Sequence, residues 1–460
     1  MEQPQLVPKP PRCPSELWLK IFAMATRLPG DLIDPAPPYR IEASPHRWPS
    51  DCVEIAEKKR LKLNLVLVCR FWRQMATEFL YEIVNIEQRS DPRGSTRAKA
   101  FLWTLKTSAG VDGAKKDGRE KRIQGGPVDE AAPIDNEAAG MLDYVECGYG
   151  QWVKQLTFRT DCVSVPYVAA IVRRCPNLCT LIIDNAHMWK ELKIQSFLLP
   201  AIPESLQRIE IRGKWSMNVK EKFGTIFHRC SSIRAASLLC GNIRFDDDLD
   251  RLPPSQLVDL TLIQPRTIHL MALKRWKLPS LTHLTLESTV VDSELLSVVR
   301  HFGPQLLFLH VSPNYYPRDS YRQFCSDISN YCSKLQGFVI TDVLPHGFRF
   351  QTLTHLVMSA ADGWSLPMHA NMHKILASEL PALKCVRILA GRDPWHPLIP
   401  PSSSTDWVVG CRARKIRVED EDGMDLLDQH YPVKIYRYAL RHRANVNVNG
   451  FLLQSESDKS

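Results

Sequence analysis

The chain has 460 residues, 44% of them hydrophobic, and a formal net charge of +9. That composition excludes a disordered chain and allows two or three domains with a large core. No apolar run approaches the roughly 18–20 residues that span a bilayer, and Met1-Glu-Gln-Pro-Gln lacks the basic start and apolar run of a signal peptide, which predicts a cytosolic or nuclear location.

After a leader over residues 1–11, the first predicted element is a helix within Pro14-Ser-Glu-Leu-Trp-Leu-Lys-Ile-Phe-Ala-Met-Ala-Thr26. Pro14 suits the opening turn and Glu16 favours the positive end of the helix dipole. Leu17, Ile21, Met24 and Leu28 recur at helical spacing as one buried stripe, and Trp18, Phe22 and Ala25 form a second beside it. The helix is thus apolar over more of its circumference than one core face needs, which predicts a partner. Residues 27–60 hold Pro29, Pro35, Pro37, Pro38, Pro45 and Pro49 and read as a proline-stiffened loop. From Leu65 to Tyr81 the apolar excess returns, enough for two short packed helices.

The two segments together carry a resemblance. Pro14-x-Glu-Leu-x-x-x-Ile-Phe followed by Leu67-Val-Cys-Arg-x-Trp72 resembles an F-box, the helical module that plugs an adaptor into the small linker subunit of SCF-type cullin-RING ubiquitin ligases. Cys13 stands where the F-box usually has leucine and buries like a small hydrophobe. The long insertion after a Leu-Trp-x-x-Ile-Phe-x-x-Ala-Thr helix is similar to that of fungal F-box proteins. The resemblance covers residues 12–85 and implies that Pro14, Glu16, Leu17, Ile21, Phe22, Leu67, Val68, Cys69 and Trp72 form the linker-subunit surface, with Leu17, Ile21 and Phe22 as apolar anchors.

Residues 86–140 read as a helix, Arg97 to Thr107, followed by a flexible linker that is rich in Gly, Pro, Ala and charge. Between Arg93 and Arg122 there are nine Lys or Arg against three acids. A solvated linker is the preferred reading of that stretch, with a nuclear import signal or phosphate contact as the other readings.

A period then sets in. The triad apolar-x-x-apolar-x-apolar occurs at Val153/Leu156/Phe158, Leu178/Leu181/Ile183, Leu206/Ile209/Ile211, Ile233/Ala236/Leu238 and Leu257/Leu260/Leu262. It continues at Leu281/Leu284/Leu286, Leu306/Leu309/Val311, Leu335/Phe338/Ile340, Leu353/Leu356/Met358 and Leu383/Val386/Ile388. Seven of the nine separations fall within 20–29 residues, and helical spacing lies between several triads, with Asp292 placed as an N-cap. Leu281-Thr-His-Leu-Thr-Leu286 recurs as Leu353-Thr-His-Leu-Val-Met358. Residues 141–392 thus resemble a leucine-rich-repeat array. The turn position three residues after each triad conforms to the family's Asn or Cys only at Asn314, so an irregular solenoid is expected. The predicted fold class is α/β, a small N-terminal helical F-box followed by an irregular leucine-rich-repeat-like horseshoe. Residues 393–460 read as a Pro/Ser breaker and a capping or tail segment.

Side chains alternate along a strand, so residues between triad positions are expected on the concave face. That gives Arg208, Glu210, Arg212, Asp259, Thr261, His283, Thr285, Glu287, Phe308, His310, His355 and Val357 as substrate-binding candidates. No catalytic constellation emerges. His369-x-x-x-His373 has Ala370 where a zinc protease carries its glutamate, and Asp246-Asp-Asp248 with Asp250 lacks the glycine turn and distal Glu of a calcium loop. The thirteen cysteines are an odd, scattered set without metal spacing, which predicts reduced core thiols. The resemblance therefore implies a non-enzymatic ligase adaptor without cofactor or metal. Its partners would be the linker subunit, a cullin and a protein substrate, with no membrane. A repeat scaffold that assembles no ligase is the alternative, and nucleic-acid binding through residues 93–122 is the least favoured.

Overall fold

A computed structural model describes residues 14–26, 53–87, 95–117, 148–159, 165–184, 198–211, 227, 230–240, 256–289, 292–313, 318–340, 348–360, 373–376, 379–390 and 405–419. These fall into two compact units, residues 14–240 and 256–419. The chain is α/β, and in both units the strands run parallel in an open sheet ordered as in the sequence.

The first unit opens with three helices, α1 (Ser15–Thr26), α2 (Val53–Val68) and α3 (Arg70–Glu82). Strand β1 (Ile83–Glu87) follows α3 directly, and α4 (Ser95–Asp117) comes next. Then follow a 3-10 turn (Gly148–Trp152), β2 (Gln155–Arg159), α5 (Val165–Val172), β3 (Thr180–Asp184), β4 (Arg208–Ile211) and β5 (Ala235–Leu239). Val84, Leu156, Leu181, Ile209 and Ala236 share one register row.

The second unit contains β6 (Asp259–Ile263), α6 (Thr267–Arg275), β7 (His283–Thr289), α7 (Ser293–Phe302), β8 (Phe308–Pro313) and α8 (Arg318–Tyr331). It continues with β9 (Gly337–Ile340), β10 (His355–Ala360), β11 (Cys385–Ala390), α9 (Thr405–Ala413) and β12 (Arg417–Glu419). Asp292 caps α7 by accepting the Leu295 N–H at 2.9 Å.

Every triad position is buried, none more than 5% exposed. The strands turn this face away from solvent, so the period marks the core positions. The two matching hexapeptides also make the same local contact: Thr282 Oγ1 lies 2.8 Å from His283 Nδ1, and Thr354 Oγ1 lies 2.9 Å from His355 Nδ1.

Side-chain hydrogen bonds also tie successive strands together just before the triads. A polar residue immediately before a triad reaches back to carbonyls at the corresponding point of the preceding repeat. Asn177 donates to Gln151 O at 2.8 Å, and Ser205 Oγ lies 2.8 and 2.9 Å from the Pro176 and Leu178 carbonyls. Ser232 repeats this toward Glu204 and Leu206, Gln305 toward Leu278, and Thr352 toward Ser333 and Leu335. These contacts satisfy backbone acceptors where neither helix nor sheet can.

The array also starts earlier and ends later than the triads predict. β1 pairs with β2 although its residues straddle the expected F-box boundary, and β12 pairs with β11 although it lies in the expected tail. Ser108, expected to begin a flexible linker, lies inside α4, which runs to Asp117. Its hydroxyl accepts the Tyr149 N–H at 3.0 Å. Ala98, Leu102 and Leu105 give α4 an inward stripe, which is why it packs rather than dangles.

Candidate docking surface and the second face of the repeat strands

The three helices enclose a core of Phe22, Leu65, Val66 and Ala76, with Trp18, Trp72, Met75 and Phe79 packed on it. Trp18, Phe22 and Trp72 form an aromatic triad with centroids 5.0–5.9 Å apart. Cys69 caps α3 by accepting the Trp72 N–H at 3.4 Å, and Arg73 donates to the Val66 carbonyl at the end of α2. Pro14 accepts the N–H groups of Leu17 and Trp18 and so closes the start of α1.

The α1 stripe of Leu17, Ile21 and Met24, read as buried from its spacing, is the exposed one. Trp18 and Phe22 face the core because Trp72 meets them there, and Leu17, Ile21 and Met24 face water at 48%, 42% and 71% exposure. Phe22, expected as a docking anchor, is 1% exposed and belongs to the module's own core. Pro14, Glu16, Leu67, Val68 and Cys69 are exposed and Trp72 is half-buried. Leu63 and Phe71, not singled out in the sequence, are also exposed. Their helical positions next to Leu67 and Trp72 were the available signal. Leu28 and Cys13 lie outside the described residues. The exposed apolar side chains can form a dry contact with a protein and hold no group suited to catalysis.

In the second unit the substrate-face candidates fall on two register rows, except Glu287, which lies on a third with Ile263 and Ser312. Asp259, His283, Phe308 and His355 share one, with Gly337 between Phe308 and His355. Thr261, Thr285, His310 and Val357 share the other, with Val339 between His310 and Val357 and then Arg387 and Glu419. Arg208 and Glu210 lie on β4 in the first unit, ion-paired at 2.5 Å, and Arg212 lies outside the described residues.

This face is less open than expected. Glu210, Glu287, Phe308 and Val357 are buried, and the other described candidates are half-buried. Bulky side chains on neighbouring parallel strands close over it: Phe308, Val339 and Val357 form their own apolar cluster. Gly337 leaves room for the Phe308 ring, since a Cβ there would sit 2.7 Å from Phe308 Cδ2. The ring stacks on His283 with centroids 5.8 Å apart.

The sequence reading missed the charged end of this row. Arg387 donates to Glu419 at 2.7 Å, and Arg417 reaches the other oxygen of Glu419 at 2.9 Å. The rule that selected the other candidates also selects Arg387, whereas Glu419 stands in the segment read as a cap or tail, outside the triads to which the rule was applied. Burial alone would raise the Glu419 pKa, but hydrogen bonds from Arg387 and Cys385 and the charge of both arginines hold it below the ordinary carboxylate value. Burial lowers His310 to about 4. Both shifts act in the same direction. Between pH 6.5 and 4 the unfolded chain binds a proton that folded His310 refuses, and below about 4.5 unfolded Glu419 does the same. Stability is therefore expected to fall on acidification through this window, by roughly 1–3 kcal/mol from His310. His310→Gln should flatten that limb in denaturant titrations at pH 4–7, and an unchanged slope refutes the assignment.

No three His, Cys, Asp or Glu among the described residues are placed to hold a metal, and the described cysteines are free thiols. No described helix is long and apolar enough to cross a membrane. His369 and Asp246–Asp250 lie outside the described residues. No protein-family model matches the chain, and no curated protein matches it.

Proposed function

We propose that this protein is the substrate-recognition adaptor of an SCF-type cullin-RING ubiquitin ligase. The α1–α3 module acts as an F-box on the linker subunit, and a leucine-rich-repeat-type solenoid presents a protein substrate. The observation that carries the reading is the exposed stripe of Leu17, Ile21 and Met24, on a module whose core is complete without it. Leu67, Val68 and Phe71, exposed on the neighbouring helices, supply further apolar surface. An adaptor needs no active-site residue, because it raises the effective concentration of an acceptor lysine near the activated thioester held by other subunits.

A pull-down of the full chain from its native host is expected to recover a linker subunit and a cullin. Recovery of neither overturns the reading. The second reading is a repeat scaffold whose helical module serves only its own array. It is favoured by the joint between them, where Tyr81 stacks on Tyr149 at 4.8 Å and Lys154 pairs with Glu82 at 2.9 Å. Exposure of the α1 stripe favours the adaptor, because a module that served only its own array would bury that stripe.

A further inference from the structure

The outward side of α4 carries an exposed tryptophan between two lysines. Lys99, Trp103 and Lys106 follow one another at i, i+4 and i+7 and are exposed, while Ala98, Leu102 and Leu105 point inward. Trp103 is 67% exposed, so most of a large apolar surface is left in water. The Lys99 ammonium lies over the Tyr167 ring of α5, 5.9 Å from its centroid, which holds that cation beside the helix. Neither α5 nor α4 as far as Ala109 contains a carboxylate.

We propose that this face docks an acidic, apolar-bearing segment of a partner protein. The indole takes an aliphatic or aromatic side chain, and Lys99 and Lys106, one turn to either side, take carboxylates. Tryptophan is among the residues that dominate interface energy when covered, and flanking cations steer an acidic partner. A membrane fits less well, because stable anchoring takes far more apolar area than one indole. Single-stranded nucleic acid also fits less well, because it stacks successive bases on several aromatic side chains and α4 offers one exposed ring. The inference is independent of the ligase reading, since it uses none of the α1–α3 surface.

The test uses the full chain and three probes: a labelled 12-residue peptide alternating Glu with Leu, vesicles of phosphatidylserine and phosphatidylcholine, and a 12-nucleotide oligothymidine. The peptide is expected to bind and to weaken as salt rises. Trp103→Ala should lose about tenfold in affinity or more, and Lys99→Glu with Lys106→Glu at least as much. The paired Lys→Arg variant should retain binding. Melting temperatures should stay at wild type, because Lys99, Trp103 and Lys106 are exposed. Three results would overturn the proposal: no peptide binding, peptide binding indifferent to Trp103→Ala, or Trp103-dependent capture of vesicles or oligonucleotide in preference to peptide.

Discussion

Replacing Leu17 and Ile21 together by Asp is expected to abolish co-purification with the linker subunit while leaving the helical module folded. The two residues lie one turn apart on α1 and are about half-exposed, so neither contributes much to the module's own core. Covering a leucine or isoleucine is worth about 1.5–3 kcal/mol, and a carboxylate in its place must also be desolvated. The combined loss exceeds about 3 kcal/mol, which is on the order of a hundredfold in affinity. Asp at position 17 sits in the first turn, where the helix dipole favours it. Circular dichroism and melting should therefore stay close to wild type. Undiminished binding by the double variant would remove the docking assignment.

Phe22→Ala, one position along the same helix, is expected to act in the opposite way. Phe22 is closed off from solvent and meets both Trp18 and Trp72, so truncation leaves a cavity inside the module and costs about 3–5 kcal/mol. A module this small has little stability to spare, and denaturant titration should show a lowered midpoint or a lost transition. Binding should fall in proportion to the fraction unfolded, with the folded fraction retaining its affinity. An unchanged midpoint with lost affinity would return Phe22 to the docking surface. The two variants together separate a side chain that holds the module together from those that meet a partner.

The α1 stripes also mark how far the sequence could be read. Both are apolar at helical spacing, so periodicity gives a helix with two candidate buried faces and no way to rank them. Trp72, some fifty residues away in the chain, turns Trp18 and Phe22 inward. The face expected to meet a substrate behaves similarly. Strand alternation placed the candidate residues in common rows, but their accessibility depends on what stands on the neighbouring strands. Phe308 and Val357 are closed off because Gly337 and Val339 lie between them in register.

The α/β repeat, its triad positions and the helices between several of them follow from the linear pattern of residues alone. Each repeat uses the same local chemistry, and an apolar stripe of fixed spacing survives any detail of stacking. Where the strands begin and end depends on contacts made in the folded chain. Ile83-Val-Asn-Ile-Glu87 and Arg417-Val-Glu419 are too short to signal a strand alone, and they become strands because β2 and β11 offer them parallel edges. Such contacts likewise set which apolar stripe stays free, because burial is a property of a residue's neighbours and its own spacing cannot contain it.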